Sequence, residues 1–292
     1  MSAVDSTGIE QEKSDIMTGI INWNELWKMT RSDSRSRKAQ EEDAEMERAK
    51  WFNDALKAHK ERTEKQIAAI ELDPDYTVLD VGAGTGRLAI PLAKEVKAVT
   101  AVDPSKSMLT CLRENMEKED VTNTVCINKR WEDIKLGVDI VPHDVVIASH
   151  SLAMLDIQEA VAKIDAAAKR SVYLFTFVTG LRGLMWMDDG LWKEICGERH
   201  QTWSDYIYLC NILHDMGICA NVKIWDSEFE QPYGNLDELV DYWKEVYNTP
   251  PEKEAILKEH LSRMLVEKGG SLYLKGKSKS AVVWWTKDEH KG

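Results

Sequence analysis

Val78-Leu79-Asp80-Val81-Gly82-Ala83-Gly84-Thr85-Gly86-Arg87 is an apolar run that takes up one acid and then breaks into three glycines at alternate positions. The run has the make-up of a short buried strand, the glycines end it, and Arg87 to Lys94 reads as the helix that follows. A strand opening through glycines into a helix lets a ligand approach the backbone of the turn closely. Dinucleotide-binding turns are spaced G-x-G-x-x-G. Here the spacing is G-x-G-x-G, led by Asp80 two residues before the first glycine. An acid at that strand end suits a ligand carrying an ammonium group better than a pyrophosphate.

Downstream, Ala98 to Val102 forms a second apolar run, and Asp103 closes it. A carboxylate at the end of that strand can accept two charge-assisted hydrogen bonds from ribose hydroxyls. Ser105 caps a helix over Ser105 to Glu119; Val125 to Asn128, Asp144 to Ser149 and Ser171 to Phe177 supply three more strands. A helix spans Asp156 to Lys169 between the last two. Such runs are apolar throughout, as in parallel sheets covered on both faces, and their alternation with helices indicates a doubly wound α/β sheet.

Upstream, Trp23, Leu26 and Trp27 make a short amphipathic helix with Asn22 or Asn24 as its cap, followed by a polar linker from Arg31 to Lys38. A long helix, with Met46, Ala49, Phe52, Leu56, Thr63, Ile67 and Ile70 on its apolar face, stops near Asp73-Pro74. Beyond Gly180 the rhythm fades into a Trp-, Met- and Gly-rich stretch to Gln201. It resumes with a helix over Thr202 to Met216 and a strand over Asn221 to Phe229. Helices over Leu236 to Tyr247 and Glu252 to Glu267 precede a last strand, Ala281 to Thr286. The 292 residues carry 38 Lys and Arg against 50 Asp and Glu, a formal charge of −12, which argues against a partner bound through a phosphate backbone. Five cysteines without a C-x-x-C pair suit a reducing compartment and form no metal site. The expectation is a cytoplasmic protein with no membrane segment, a monomer or homodimer.

With Asp80 to Gly86 and Asp103 in these strand contexts, the sequence resembles the class I S-adenosylmethionine-dependent methyltransferases. The likeness is specific over about Leu72 to Phe177. The resemblance implies a Rossmann-like methyltransferase fold: a seven-stranded mixed sheet with N-terminal helices and a helical insertion before the last strand. It divides the chain into a tail with cap helices over 1–70 and a methyltransferase domain over 71–292. Within that domain the cofactor core is 71–180 and the substrate side 181–292. It also implies S-adenosylmethionine as cofactor and S-adenosylhomocysteine as product. Asp80 and the turn from Gly82 through Ala83 and Gly84 to Gly86 would hold the methionine end. Asp103 would hold the ribose, with Pro104, Ser105 and Met108 lining the adenine. Trp131 would pack on the adenine or else fill the core, and Glu132 or Asp133 would read its amino group. Ser149 falls beside the reacting sulfonium. His150 is a candidate general base, the competing reading being a satisfied structural histidine at a strand end. Trp23, Trp27, Trp186, His200 and Trp203 are candidate pocket residues; packing of accessory helices explains the tryptophans equally well.

The expected function is methyl transfer to a small-molecule acceptor. Two rivals stand beside it: a methyltransferase for a protein or RNA acceptor, and a non-catalytic S-adenosylmethionine-binding protein. The fourth strand ends in Ser-His-Ser-Leu, so the N-P-P-Y of exocyclic-amine nucleic-acid methylases is missing, and no Pro-Cys dipeptide offers a cytosine-C5 nucleophile.

Overall fold

The computed structural model describes residues 21–32, 46–47, 49–50, 52–54, 60–178, 194–195, 205–247 and 249–287. Five parallel strands make the body of the sheet: β1 (Thr77–Val81), β2 (Ala98–Asp103), β3 (Thr124–Asn128), β4 (His143–Ser149) and β5 (Ala168–Phe177). Two long antiparallel strands, β6 (Asn221–Tyr233) and β8 (Ser271–Thr286), complete it on the β5 side. The order is β3-β2-β1-β4-β5-β8-β6. These seven strands are the mixed sheet expected. An eighth, β7 (Leu265–Lys268), pairs with the start of β8.

Alternate side chains of the strands feed two cores. Leu79, Val81, Val146, Leu174 and Trp285 face α1 (Trp23–Ser32), α5 (Ile157–Ala167) and α6 (Asp205–Asp215). Val78, Val99, Ile147, Phe175 and Val282 face α3 (Ala89–Ala93) and α4 (Lys106–Lys118). Covering both faces is what makes the strands apolar at nearly every position. The caps fall where the sequence puts them: Asn22 Oδ1 accepts from Glu25 N, Ser105 Oγ from Met108 N and Asp156 Oδ1 from Glu159 N. Each fills one of the orphan donors at a helix start.

Three elements differ from the sequence reading. The helix before β1, α2 (Lys60–Ile67), ends before Pro74 can stop it: Ile70 N already bonds back to Ile67 O in a tight turn. The final hairpin is much longer than its apolar segments, because β6 and β8 pair continuously from Asn221↔Trp284 to Tyr233↔Leu272. The helix expected to reach Glu267 breaks after Met264. Gly269-Gly270 then supplies the two-residue turn that brings Lys268 opposite Ser271. The inserted helices α7 (Leu236–Tyr247) and α8 (Glu254–Met264) do precede the last strand, and they close a third, separate core around Leu239, Trp243, Leu257, Leu261 and Leu274.

Candidate active site

The C-terminal ends of β1, β2 and β4 converge, as expected for ligand sites in open α/β sheets. The turn after β1 is stitched to β2: Gly82 N and Ala83 N both donate to Val102 O, at 2.7 and 3.1 Å. Asp103 fixes the same turn from the other side. Its Oδ2 accepts from Gly84 N and its Oδ1 from Ser105 N, each at 2.8 Å. Asn128 Nδ2 holds the backbone beyond it through Asp103 O and Pro104 O. The carboxylate is thereby aimed by two backbone amides, and each oxygen keeps a further lone pair for a ligand hydroxyl. Burial pushes its carboxyl up against those two bonds, which act downward.

Gly82 and Gly84 serve the turn differently. Both have positive φ, +78° and +56°. A Cβ at Gly82 would lie 2.2 Å from Ser151 Cβ, so this glycine lets the segment after β4 close on the turn. Ser151 Oγ in turn donates to Val81 O. Among the described residues a Cβ at Gly84 meets nothing within 4 Å, which leaves the space above this backbone open to a ligand.

Asp80 is 2% exposed and has no hydrogen-bond or ion-pair partner among the described residues. Burial pushes its carboxyl up to about 7; Arg87 pulls it down only in part and Asp103 raises it further. An acid held this way gains from a cation brought against it. The orphaned carboxylate, the open backbone at Gly84 and the aimed Asp103 together match an ammonium-bearing nucleoside such as S-adenosylmethionine.

Around Ser149 runs a chain of polar side chains, of which Thr63 and Gln66 come from α2. Arg87 Nη2 donates to Ser149 Oγ at 2.8 Å and Nη1 to Thr63 Oγ1 at 3.0 Å. Ser149 Oγ lies 3.4 Å from Gln66 Oε1, and Gln66 Nε2 lies 3.3 Å from His150 Nε2. The assigned orientations run in one direction: Arg87 donates to Ser149, Ser149 to Gln66, and Gln66 to His150, leaving Nε2 the acceptor. His150 has φ +55°, donates its N–H to Phe175 O and stacks on Phe177 at 4.1 Å. Gln66 is wholly buried. Arg62 and Gln66 join the site without having been singled out in the sequence, and Thr63, read as part of an apolar face, turns its hydroxyl to Arg87 instead. Arg87, directly after the turn, and Ser151, in the Ser-His-Ser-Leu segment after β4, carried a sequence signal.

The remaining candidates separate. Pro104 is exposed, and Ser105 and Met108 form the first turn of α4 beside Asp103. Glu132 and Asp133 are exposed in a single 3-10 turn, with Arg130 3.8 Å from Glu132. Trp131 takes the second of its two readings in this structure: the residue is 3% exposed in the α5 core, and its Nε1 donates to Ala160 O. Trp27 is likewise in the core, fully buried with Nε1 on Met154 O, and Trp23 meets Tyr208 edge-on. Buried indoles need a partner for the N–H, and backbone carbonyls provide it in both cases. Trp186, His200 and Trp203 lie outside the described residues. Two cavities of about 370 Å³ have neither Asp80 nor Asp103 in their lining: one lies at the opposite strand ends, near Tyr76 and Asp144, and the other is bordered by Gly86, Arg87 and Asn115. Among the described residues, no helix is long and apolar enough to cross a membrane.

Residues 78–171 match the family model of a methyltransferase domain. An uncharacterised protein of Haemophilus influenzae is 30% identical over 251 residues, which is 82% of this chain and 89% of that one. The YcgJ protein of Bacillus subtilis shares the fold at a TM-score of 0.51 and 17% identity, over 79% of this chain and all of that one. A proposed methyltransferase of Bacillus halodurans does so at 0.51 and 17%, over 77% of this chain and 98% of that one. The strand order, the turn that follows Asp80 and these relatives agree: the chain belongs to the class I S-adenosylmethionine-dependent methyltransferases, an enzyme with S-adenosylmethionine as its cofactor.

Proposed function

We propose that the acceptor is a small molecule, methylated beside Ser149 and His150 with release of S-adenosylhomocysteine. The observation that carries this reading is the roof that α2 places over these strand ends, where Gln66 is fully buried between Ser149 and His150. A roof of this kind excludes water from the reacting centre, which favours a small acceptor over a folded macromolecule. The formal charge of −12 supports the same choice against RNA.

When bound, S-adenosylmethionine supplies a methyl group on a positively charged sulfur. Asp80 would hold the ammonium, the backbone of Gly82, Ala83 and Gly84 the methionine end, and Asp103 the ribose. Pro104, Ser105 and Met108 would border the adenine. Methyl transfer demands mainly in-line placement of the acceptor. For an acceptor that must lose a proton, His150 Nε2 is the base within the roof, and Gln66 has to give up its hydrogen bond to that nitrogen first.

The test is a label-transfer screen with methyl-labelled S-adenosylmethionine against metabolite, protein and RNA fractions of a cell extract. Label in the metabolite fraction is expected. Label recovered only in protein or RNA would overturn the small-molecule reading.

A further inference from the structure

The roof holds more positive charge than the described residues answer. Arg87 spends two guanidinium donors on neutral hydroxyls, those of Thr63 and Ser149, and forms no ion pair among the described residues. Arg62, one residue before Thr63 on α2, is partly buried; its Nε is enclosed without a hydrogen-bond partner, and it too lacks an ion pair among the described residues. Burial holds Arg62 down to about 10, and burial together with the charge of Arg62 holds Arg87 down to about 9, so both stay cationic at neutral pH. The carboxylate that acts on Arg87 is that of Asp80, whose own charged form burial disfavours.

A guanidinium taken out of water without a counter-charge costs several kcal/mol. Two of them beside one reluctant carboxylate are hard to account for as scaffold, since an Arg-to-hydroxyl bond would be served as well by a neutral donor. A guanidinium does offer a rigid fork matched to carboxylate and phosphate oxygens. The location is equally specific: Thr63 and Ser149 tie Arg87 to the end of β4, and Arg62 adjoins Thr63 on α2, close enough for its charge to act on Arg87.

We infer that Arg62 and Arg87 form an anion cradle for the methyl acceptor, which therefore bears a carboxylate or phosphate group. The inference rests on the small-molecule reading above and narrows its substrate class. The same chemistry could be offered by the cofactor's own methionine carboxylate, and the experiment must separate the two sources.

The test uses the full chain, with calorimetry of acetate and of inorganic phosphate added to protein saturated with S-adenosylhomocysteine, at constant ionic strength. Acetamide serves as the neutral control. Saturable binding of one of the anions, and none of acetamide, is expected. Arg62→Gln should weaken that binding about 10- to 100-fold, the loss of a charge-assisted hydrogen bond. Arg62→Lys should recover part of it. Circular dichroism of both variants reports folding. Absence of anion binding to the saturated wild type, or equal binding in Arg62→Gln, would overturn the cradle. Anion binding that S-adenosylhomocysteine displaces would assign the arginines to the cofactor and overturn the acceptor assignment. Failure of S-adenosylhomocysteine itself to bind is a different result, which sinks the underlying cofactor site.

Discussion

Alanine at Gly82 and at Gly84 should act through different states of the protein, although the two residues share one turn. At Gly82 the new Cβ falls 2.2 Å from Ser151 Cβ and 2.7 Å from its Oγ, and Ser151 is anchored to Val81 O. A left-handed backbone costs an L-residue about 1–2 kcal/mol. Forcing a methyl group into a packed position adds about 1–3 kcal/mol. Gly82→Ala should therefore lose about 2–5 kcal/mol of stability. At Gly84 the space is open, so only the backbone cost of about 1–2 kcal/mol applies and Tm should fall by a few degrees. The open space is where the cofactor's methionine end would approach. Gly84→Ala should thus weaken S-adenosylhomocysteine binding about tenfold or more, the equivalent of at least one lost hydrogen bond. Thermal unfolding by circular dichroism and titration calorimetry read the two effects separately. Unchanged affinity in Gly84→Ala would refute the turn as a cradle. A wild-type Tm in Gly82→Ala would refute the packing of Ser151 against it.

The same site yields a pH signature. Asp80 is pushed up to about 7 by burial, whereas an unfolded aspartate ionises near 3.9. Between those values the folded chain keeps a proton that the unfolded chain has released, so stability falls as pH rises through that window and levels off above it. Asp80→Asn should flatten this slope in urea-unfolding curves. Binding of S-adenosylhomocysteine, whose ammonium needs the carboxylate, should tighten as pH rises to about 7; a flat affinity profile would separate Asp80 from the ammonium. Asp103→Ala should weaken S-adenosylhomocysteine binding by about 1.5–3 kcal/mol in calorimetry, the range for a hydrogen bond to a charged group; unchanged affinity would misplace the ribose. Trp27→Ala should cost about 3–5 kcal/mol in chemical unfolding, because it empties a fully buried position between α1 and Met154; a loss under about 1 kcal/mol would show that α1 is only loosely attached.

Most of the sheet was legible because each strand's pattern is local. Val78–Val81, Val145–Ala148 and Val172–Phe177 are buried on both faces, and Ser105 and Asp156 announce their helices by side-chain chemistry alone. The roof over the site was not legible. Arg62 and Gln66 sit outside the apolar stripe of α2, and helical periodicity does not distinguish a polar face turned to water from one turned onto a reaction site. The long hairpin was hidden for another reason. Lys275-Gly276-Lys277-Ser278-Lys279 has no strand character, and it is held extended by register with Asp226 to Glu230 and by the ion pair of Lys279 with Asp226. Non-local pairing overrode local preference there. Trp27 and Trp131 follow the same logic, since the carbonyls that accept from them are 127 and 29 residues away.

That hairpin has an evolutionary consequence. β5 pairs with β8 only over Ser280 to Thr286, and the nine residues before Ser280 run on beyond the shared sheet, with β6 and β7 as their strand neighbours. The small core of α7 and α8 that they serve has no buried residue in common with the two cores flanking Asp80 and Asp103. Substitutions in sites so separated are close to additive. The outer module can therefore accumulate changes, or be exchanged between relatives, while the machinery around Asp80 keeps its affinity, so the lineage can explore new surfaces without having to reinvent its chemistry.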